Sequence, residues 1–175
     1  SVKLEWNIDA DRFLHKSRDV AYTALELLKL QGLDDSRPSG IKPKGMDLRS
    51  LEADTEKLIL TNSISPIPLH KTLVLLDCLK EMADESFYRH ALLALGNALV
   101  YRISNLHFGP EVGVRNPKSD VSVINSWLEE VEKIVSDLKT VSGKKYPQSQ
   151  VYSGDSREIS GFIPACSIDA VITSP

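Results

Sequence analysis

The chain of 175 residues is 42% hydrophobic, with 21 Lys plus Arg against 24 Asp plus Glu and a formal net charge of -3. That much apolar chain supports one ordinary domain with its own core and excludes a disordered tail. The acidic balance argues against a free-standing duplex binder, because a module that works by neutralising phosphates carries a basic surplus.

The opening SVKLEWNIDADRF lacks a positive patch followed by an apolar core and a cleavage site. No apolar run reaches spanning length, so the expectation is a cytoplasmic chain with no membrane partner. Asp9 or Asp11 caps a first helix whose apolar residues Phe13, Leu14, Val20, Ala21, Ala24, Leu27 and Leu28 recur at helical spacing, ending near Gly32. Residues Asp34 to Lys44, with Pro38, Gly40 and Pro43, have turn chemistry and little to bury, which predicts a surface loop. A weaker helical pattern runs from Leu48 to Leu60, and Ser63 to Pro68 breaks it, because its two prolines hold the preceding residues extended. A third helix is predicted from about Leu69 to Met82. A fourth, capped by Asp84, carries Phe87, Ala91, Leu95, Ala98, Leu99 and Ile103 and is apolar over most of its circumference, as a central helix is. After the irregular stretch FGPEVGVRNP comes the clearest periodicity in the chain. Ile124, Trp127, Leu128, Val131, Ile134, Val135 and Leu138 share one face, with Glu129, Glu130, Glu132 and Lys133 opposite. Ser122 or Asp120 is the cap and Gly143 lies past the end, and Trp127 reads as a core residue rather than a base-stacking one.

The last part of the chain changes character. In VYSGDSREISGFIPACSIDAVITSP, Val151-Tyr152 and Ala170-Val171-Ile172 read as two short parallel strands joined by a crossover from Ser156 to Asp169. The expected architecture is therefore mainly α: a helical region of about five helices over residues 1–146, then an α/β segment over residues 147–175. Two strands alone leave edges unpaired and a face uncovered, so that segment is expected to be part of a larger sheet and the chain to be incomplete. In open α/β sheets ligands bind beyond the carboxyl ends of the strands, where Asp155 and Ser174 would converge. Taken alone, a Gly-Asp turn more often caps the helix that follows it. Cys78 and Cys166 read as small buried residues, and His15, His70, His90 and His107 as surface or core residues, so no metal site is expected.

The residues GDSRE at 154–158 and DAVITSP at 169–175, with ISNLHFGPEVGV at 103–114 and the opening VKLEWNID, are similar to a group of bacterial DNA methyltransferases of the N-4 cytosine/N-6 adenine amino class. The closing Ser-Pro resembles the start of that family's S-P-P-Y tetrad. The resemblance implies an incomplete Rossmann-like sheet and S-adenosylmethionine as cofactor. DNA is the implied partner, its target base flipped out of the duplex. It assigns Asp155 to a hydrogen bond with the cofactor's adenine amine, Ser156 to the lining of that adenine pocket, and Ser174 and Pro175 to acceptors for the target amine. The nine glycines form no G-x-G pattern, so the family's cofactor loop has no counterpart here, and the isolated chain is expected to be inactive. The remainder of the enzyme, or a complementing chain, is then a required partner. Two other readings stand beside this one: a non-catalytic helical module that docks to a partner chain, and, more weakly, a segment of an RNA methyltransferase. Open sheet edges would also favour a homo-oligomer.

Overall fold

The computed structural model describes residues 7–144 and 150–172, Ser156 by its backbone alone. The chain divides into a helical body that ends at Lys144 and a C-terminal segment that begins at Lys145. Its described part is mainly helical, with five α-helices and one small two-stranded sheet. No described helix is long and apolar enough to cross a membrane.

In the body, α1 spans Ala10–Leu30, and the Asp9 carboxylate accepts the Arg12 N–H at 2.9 Å. This satisfies one of the donors that a helix start leaves without a partner. The helix buries Phe13, Val20, Ala21, Ala24 and Leu28, and closes where the Leu33 N–H returns to the Leu28 carbonyl at 2.9 Å. The weak pattern between Leu48 and Leu60 yields only the four-residue α2, Ala53–Glu56, none of it buried. Nothing packs on those residues to offset the cost of nucleating a longer helix.

Helix α3, Pro66–Lys80, begins inside the stretch whose prolines were expected to hold the chain extended. Proline suits a helix start, since the N–H it lacks would have had no intrahelical partner in the first turn. Helix α4, Tyr88–Ala98, is entered through Phe87 rather than Asp84 and runs into a π turn over Leu99–Ile103. Helix α5, Val123–Val141, buries Val123, Ile124, Trp127, Val131, Val135 and Leu138, and packs on α1, α3 and α4. The small Ala91 lets the two backbones come close, and the Trp127 indole N–H donates to the Ala91 carbonyl at 3.0 Å. Core packing is thus the role of Trp127. Glu130, expected on the solvent face, is buried, with the Arg102 guanidinium 3.7 Å away and Lys133 bonded to it.

The sheet is not where the sequence pattern put it. Strands β1, Leu106–Phe108, and β2, Val112–Val114, pair antiparallel with Phe108 opposite Val112 and Leu106 opposite Val114. They fall within the stretch read as irregular or as resemblance alone. A tight turn joins neighbours in sequence, so this pairing has little loop to close. Val151-Tyr152 and Ala170-Val171-Ile172 form no ladder, and the expected parallel pair is absent among the described residues. A parallel pair needs a long crossover and a covered face, and neither residue group has a third strand beside it.

Candidate functional site

The C-terminal segment carries the candidate chemistry. Gly154 passes so close to the Phe162 ring that a Cβ there would meet its Cε2 at 2.9 Å, and the Tyr152 ring packs on Phe162 at a centroid distance of 5.5 Å. This small aromatic cluster folds the chain back on itself around Asp155. A short 3-10 helix, Ser156–Gly161, follows, and Asp155 caps it by accepting the Arg157 N–H at 2.9 Å. The Arg157 guanidinium also donates to the carboxylate, from Nε to Oδ1 at 3.0 Å and to Oδ2 at 3.1 Å. These bonds hold the Asp155 carboxyl below the usual carboxylate range, so at neutral pH it is an ionised group that can only accept. The capping role is therefore present, and so is an exposed charge.

Of the four residues assigned by resemblance, Asp155 is described in full and Ser156 by its backbone at the first position of the 3-10 helix. Ser174 and Pro175 lie outside the described residues, as does most of the VKLEWNID opening. In this segment the apolar side chains stay in water: Val151, Tyr152, Ile159, Phe162, Ile168, Val171 and Ile172 are all exposed. Cys166, expected to be buried, is exposed as well, at a positive φ of 60°. Its partner in composition, Cys78, is buried in the helical core, where burial pushes the thiol up.

In the body, two polar clusters went unread in the sequence. Asp35 belongs to the stretch read as a surface loop with little to bury, yet it is 2% exposed. Its carboxylate accepts the Val123 N–H at 2.8 Å, the Ile124 N–H at 2.9 Å and the Ser122 hydroxyl at 3.1 Å, so it caps α5 from far along the chain. The Ser122 side chain makes no capping bond of its own. Lys71, wholly buried on α3, places its ammonium 3.3 Å from Asp35 and 2.8 Å from Asp120, and donates to the Val121 carbonyl at 3.1 Å. The buried ammonium is thus paired with two carboxylates and hydrogen-bonded to one carbonyl, which makes it a structural clasp. Gly40 brings the loop in: at a φ of +68°, its missing Cβ would stand 2.5 Å from the Ser119 hydroxyl.

The second cluster centres on Asn105. Its side-chain amide donates to the Asn62 carbonyl at 2.9 Å and the Ser65 hydroxyl at 3.1 Å, and its carbonyl accepts the Lys118 N–H at 2.9 Å. The Lys118 ammonium donates to the Arg102 and Ser104 carbonyls at 2.6 and 2.7 Å, closing the end of the π turn. Burial holds that ammonium below the usual lysine range. Nearby, a groove of about 360 Å³ runs between residues Leu48–Leu51 and residues Ile59–Leu69. Neither cluster has a signal in local sequence, since each joins residues tens of positions apart.

Comparison with protein-family models, with curated proteins and with solved structures finds no match to the chain.

Proposed function

We propose that the chain is part of a site-specific DNA amino-methyltransferase, which transfers a methyl group from S-adenosylmethionine to the exocyclic amine of cytosine or adenine. The observation that carries the reading is Asp155: an ionised, exposed carboxylate at the turn between an extended stretch and a helix, in the GDSRE context, with DAVITSP following. On this reading residues 147–175, whose described part forms no strand pair, enter a Rossmann-like sheet only with strands from the rest of the enzyme, which would cover their exposed apolar residues.

The carboxylate suits the adenine amine of the cofactor. Arg157 already donates twice to each oxygen, its backbone N–H and Nε to Oδ1 and its Nε and Nη2 to Oδ2, so the adenine amine would take the place of one of these exposed bonds. When bound, S-adenosylmethionine supplies an activated methyl group on a positively charged sulfur. The work left to the protein is at the target amine, whose lone pair is delocalised into the base and attacks poorly. Ser174 and the Pro175 carbonyl would accept its N–H bonds, favouring the pyramidal form that can attack, and would hold it in line with the methyl carbon. The helical body is then an accessory region of that enzyme.

The nine glycines include no G-x-G loop, so activity requires a chain that supplies one. The test is to mix the protein with a polypeptide carrying the G-x-G strand-turn and follow labelled methyl transfer into DNA. Transfer is expected with the wild-type chain and not with Asp155→Ala or Ser174→Ala. No transfer from any combination overturns the reading.

A second reading, a docking module without catalysis, is favoured by one observation. Tyr101, Phe108, Val112 and Val114 are exposed together at the hairpin, with the Tyr101 and Phe108 rings 6.5 Å apart. A stable complex in the same mixture with neither DNA nor RNA methylated would select it, and methylation of RNA alone would select the RNA-modifying alternative.

A further inference from the structure

His70 is 2% exposed on α3 and makes two hydrogen bonds, both to residues outside its helix. Its Nδ1 accepts the Arg49 backbone N–H at 3.0 Å, so that nitrogen carries no proton. The ring's proton is then on Nε2, which donates to the Gln31 side-chain carbonyl at 2.7 Å. One neutral imidazole therefore ties the residue after the end of α1 to the chain just before α2. Leu48 to Leu51, the stretch it holds, is one wall of the groove of about 360 Å³ whose other wall is Ile59 to Leu69.

We propose that His70 is an acid-sensitive latch: protonation of its Nδ1 ejects the Arg49 N–H and frees the Leu48–Leu51 wall of the groove. A protonated Nδ1 faces an N–H with another N–H, and no small rotation of the ring restores an acceptor there, because both imidazolium nitrogens are donors. The charged groups around the ring set the direction. From the loop, the Arg49 guanidinium opposes a second positive charge; from α1, Gln31 is neutral and can accept from either form. On α3 itself, Asp77 is already engaged by Arg49 at 2.5 Å and by Lys80 at 2.7 Å. No carboxylate among these groups is left to stabilise an imidazolium, so releasing the latch gives the charge access to water. Burial and Arg49 hold the imidazole below its ordinary range, which keeps the latch closed at neutral pH.

The test is amide hydrogen exchange on the full chain between pH 7.5 and 5, expressed as protection factors to remove the intrinsic pH dependence of exchange. The Arg49 amide should lose protection by up to about tenfold per pH unit once the pH falls below the ordinary imidazole range. The Trp127 and Val131 amides of α5 should keep theirs. His70→Gln, which offers a neutral carbonyl at every pH, should abolish the pH dependence at Arg49. Should that variant not fold, imidazole nitrogen shifts of the wild type give a second reading. They should report the Nε2–H form at pH 7.5 and titrate together with the Arg49 amide. Arg49 protection that is unchanged across this range, or a His70 titration that leaves the Arg49 amide unmoved, overturns the latch.

Discussion

Helix α5 and the segment from Val151 to Ile172 are built from similar apolar residues and meet opposite fates. In α5, Val123, Ile124, Trp127 and Val131 are removed from water completely, whereas Val171 and Ile172 are 79% and 99% exposed. The difference is the presence of complementary faces. Helix α5 has α1, α3 and α4 against its apolar side and a buried carboxylate on its first N–H groups. The described part of the C-terminal segment has the Phe162 ring over Gly154 and beside Tyr152, and the exposed Asp155–Arg157 pair. Stability is therefore concentrated in the body and the candidate chemistry in the segment, so the two should respond separately to mutation.

The largest contrast is between their ion pairs. Lys71→Ala leaves Asp35 and Asp120 buried without their cation and should cost about 3–5 kcal/mol in urea unfolding. Arg157→Ala, which breaks the exposed pair with Asp155, should leave the urea midpoint of the body where it is. Close behind come the aromatic anchors. Trp127→Ala should cost about 3–5 kcal/mol, and Phe162→Ala less than about 0.5 kcal/mol. A comparable loss from both would show that the segment shares the body's cooperative unit. Asn105→Ala, which removes three side-chain hydrogen bonds of a buried residue, should cost about 1–3 kcal/mol by the same measurement.

The smallest effect is a pH dependence confined to the body. Burial and Arg49 lower the His70 imidazole in the folded chain, so the unfolded chain takes up the proton first. The stability contributed by neutral His70 is thus fully present above the unfolded value of about 6.5. It declines as the pH falls below that value, until the folded imidazole is itself protonated. Urea midpoints at pH 7.5 and 5.5 should differ by more in the wild type than in His70→Gln.

Helices α1 and α5 were legible in sequence because their information is local. Asp9 stands one residue before α1, and the stripe from Ile124 to Leu138 repeats at the helical period. The misread parts depend on distant partners. Nothing near Asp35 says that Lys71 and the start of α5 will surround it, and Glu130 sits on the polar side of its own helix until Arg102 arrives from the π turn. Pro66 and Pro68 were read by the constraint they place on preceding residues, although at a helix start their missing N–H groups are no handicap. The candidate site divides in the same way. The Asp155 turn and its capping bond follow from neighbours two residues apart, whereas a strand pair from Val151 to Ile172 needs other strands to form.

Calorimetric titration of S-adenosylmethionine addresses the proposed role of Asp155 most directly. It compares the chain alone with the chain mixed with a polypeptide bearing the G-x-G strand-turn. Binding heat is expected only in the mixture, and should vanish there when Asp155→Ala replaces the wild type. Low-micromolar binding by the chain alone, or none in the mixture, would contradict it.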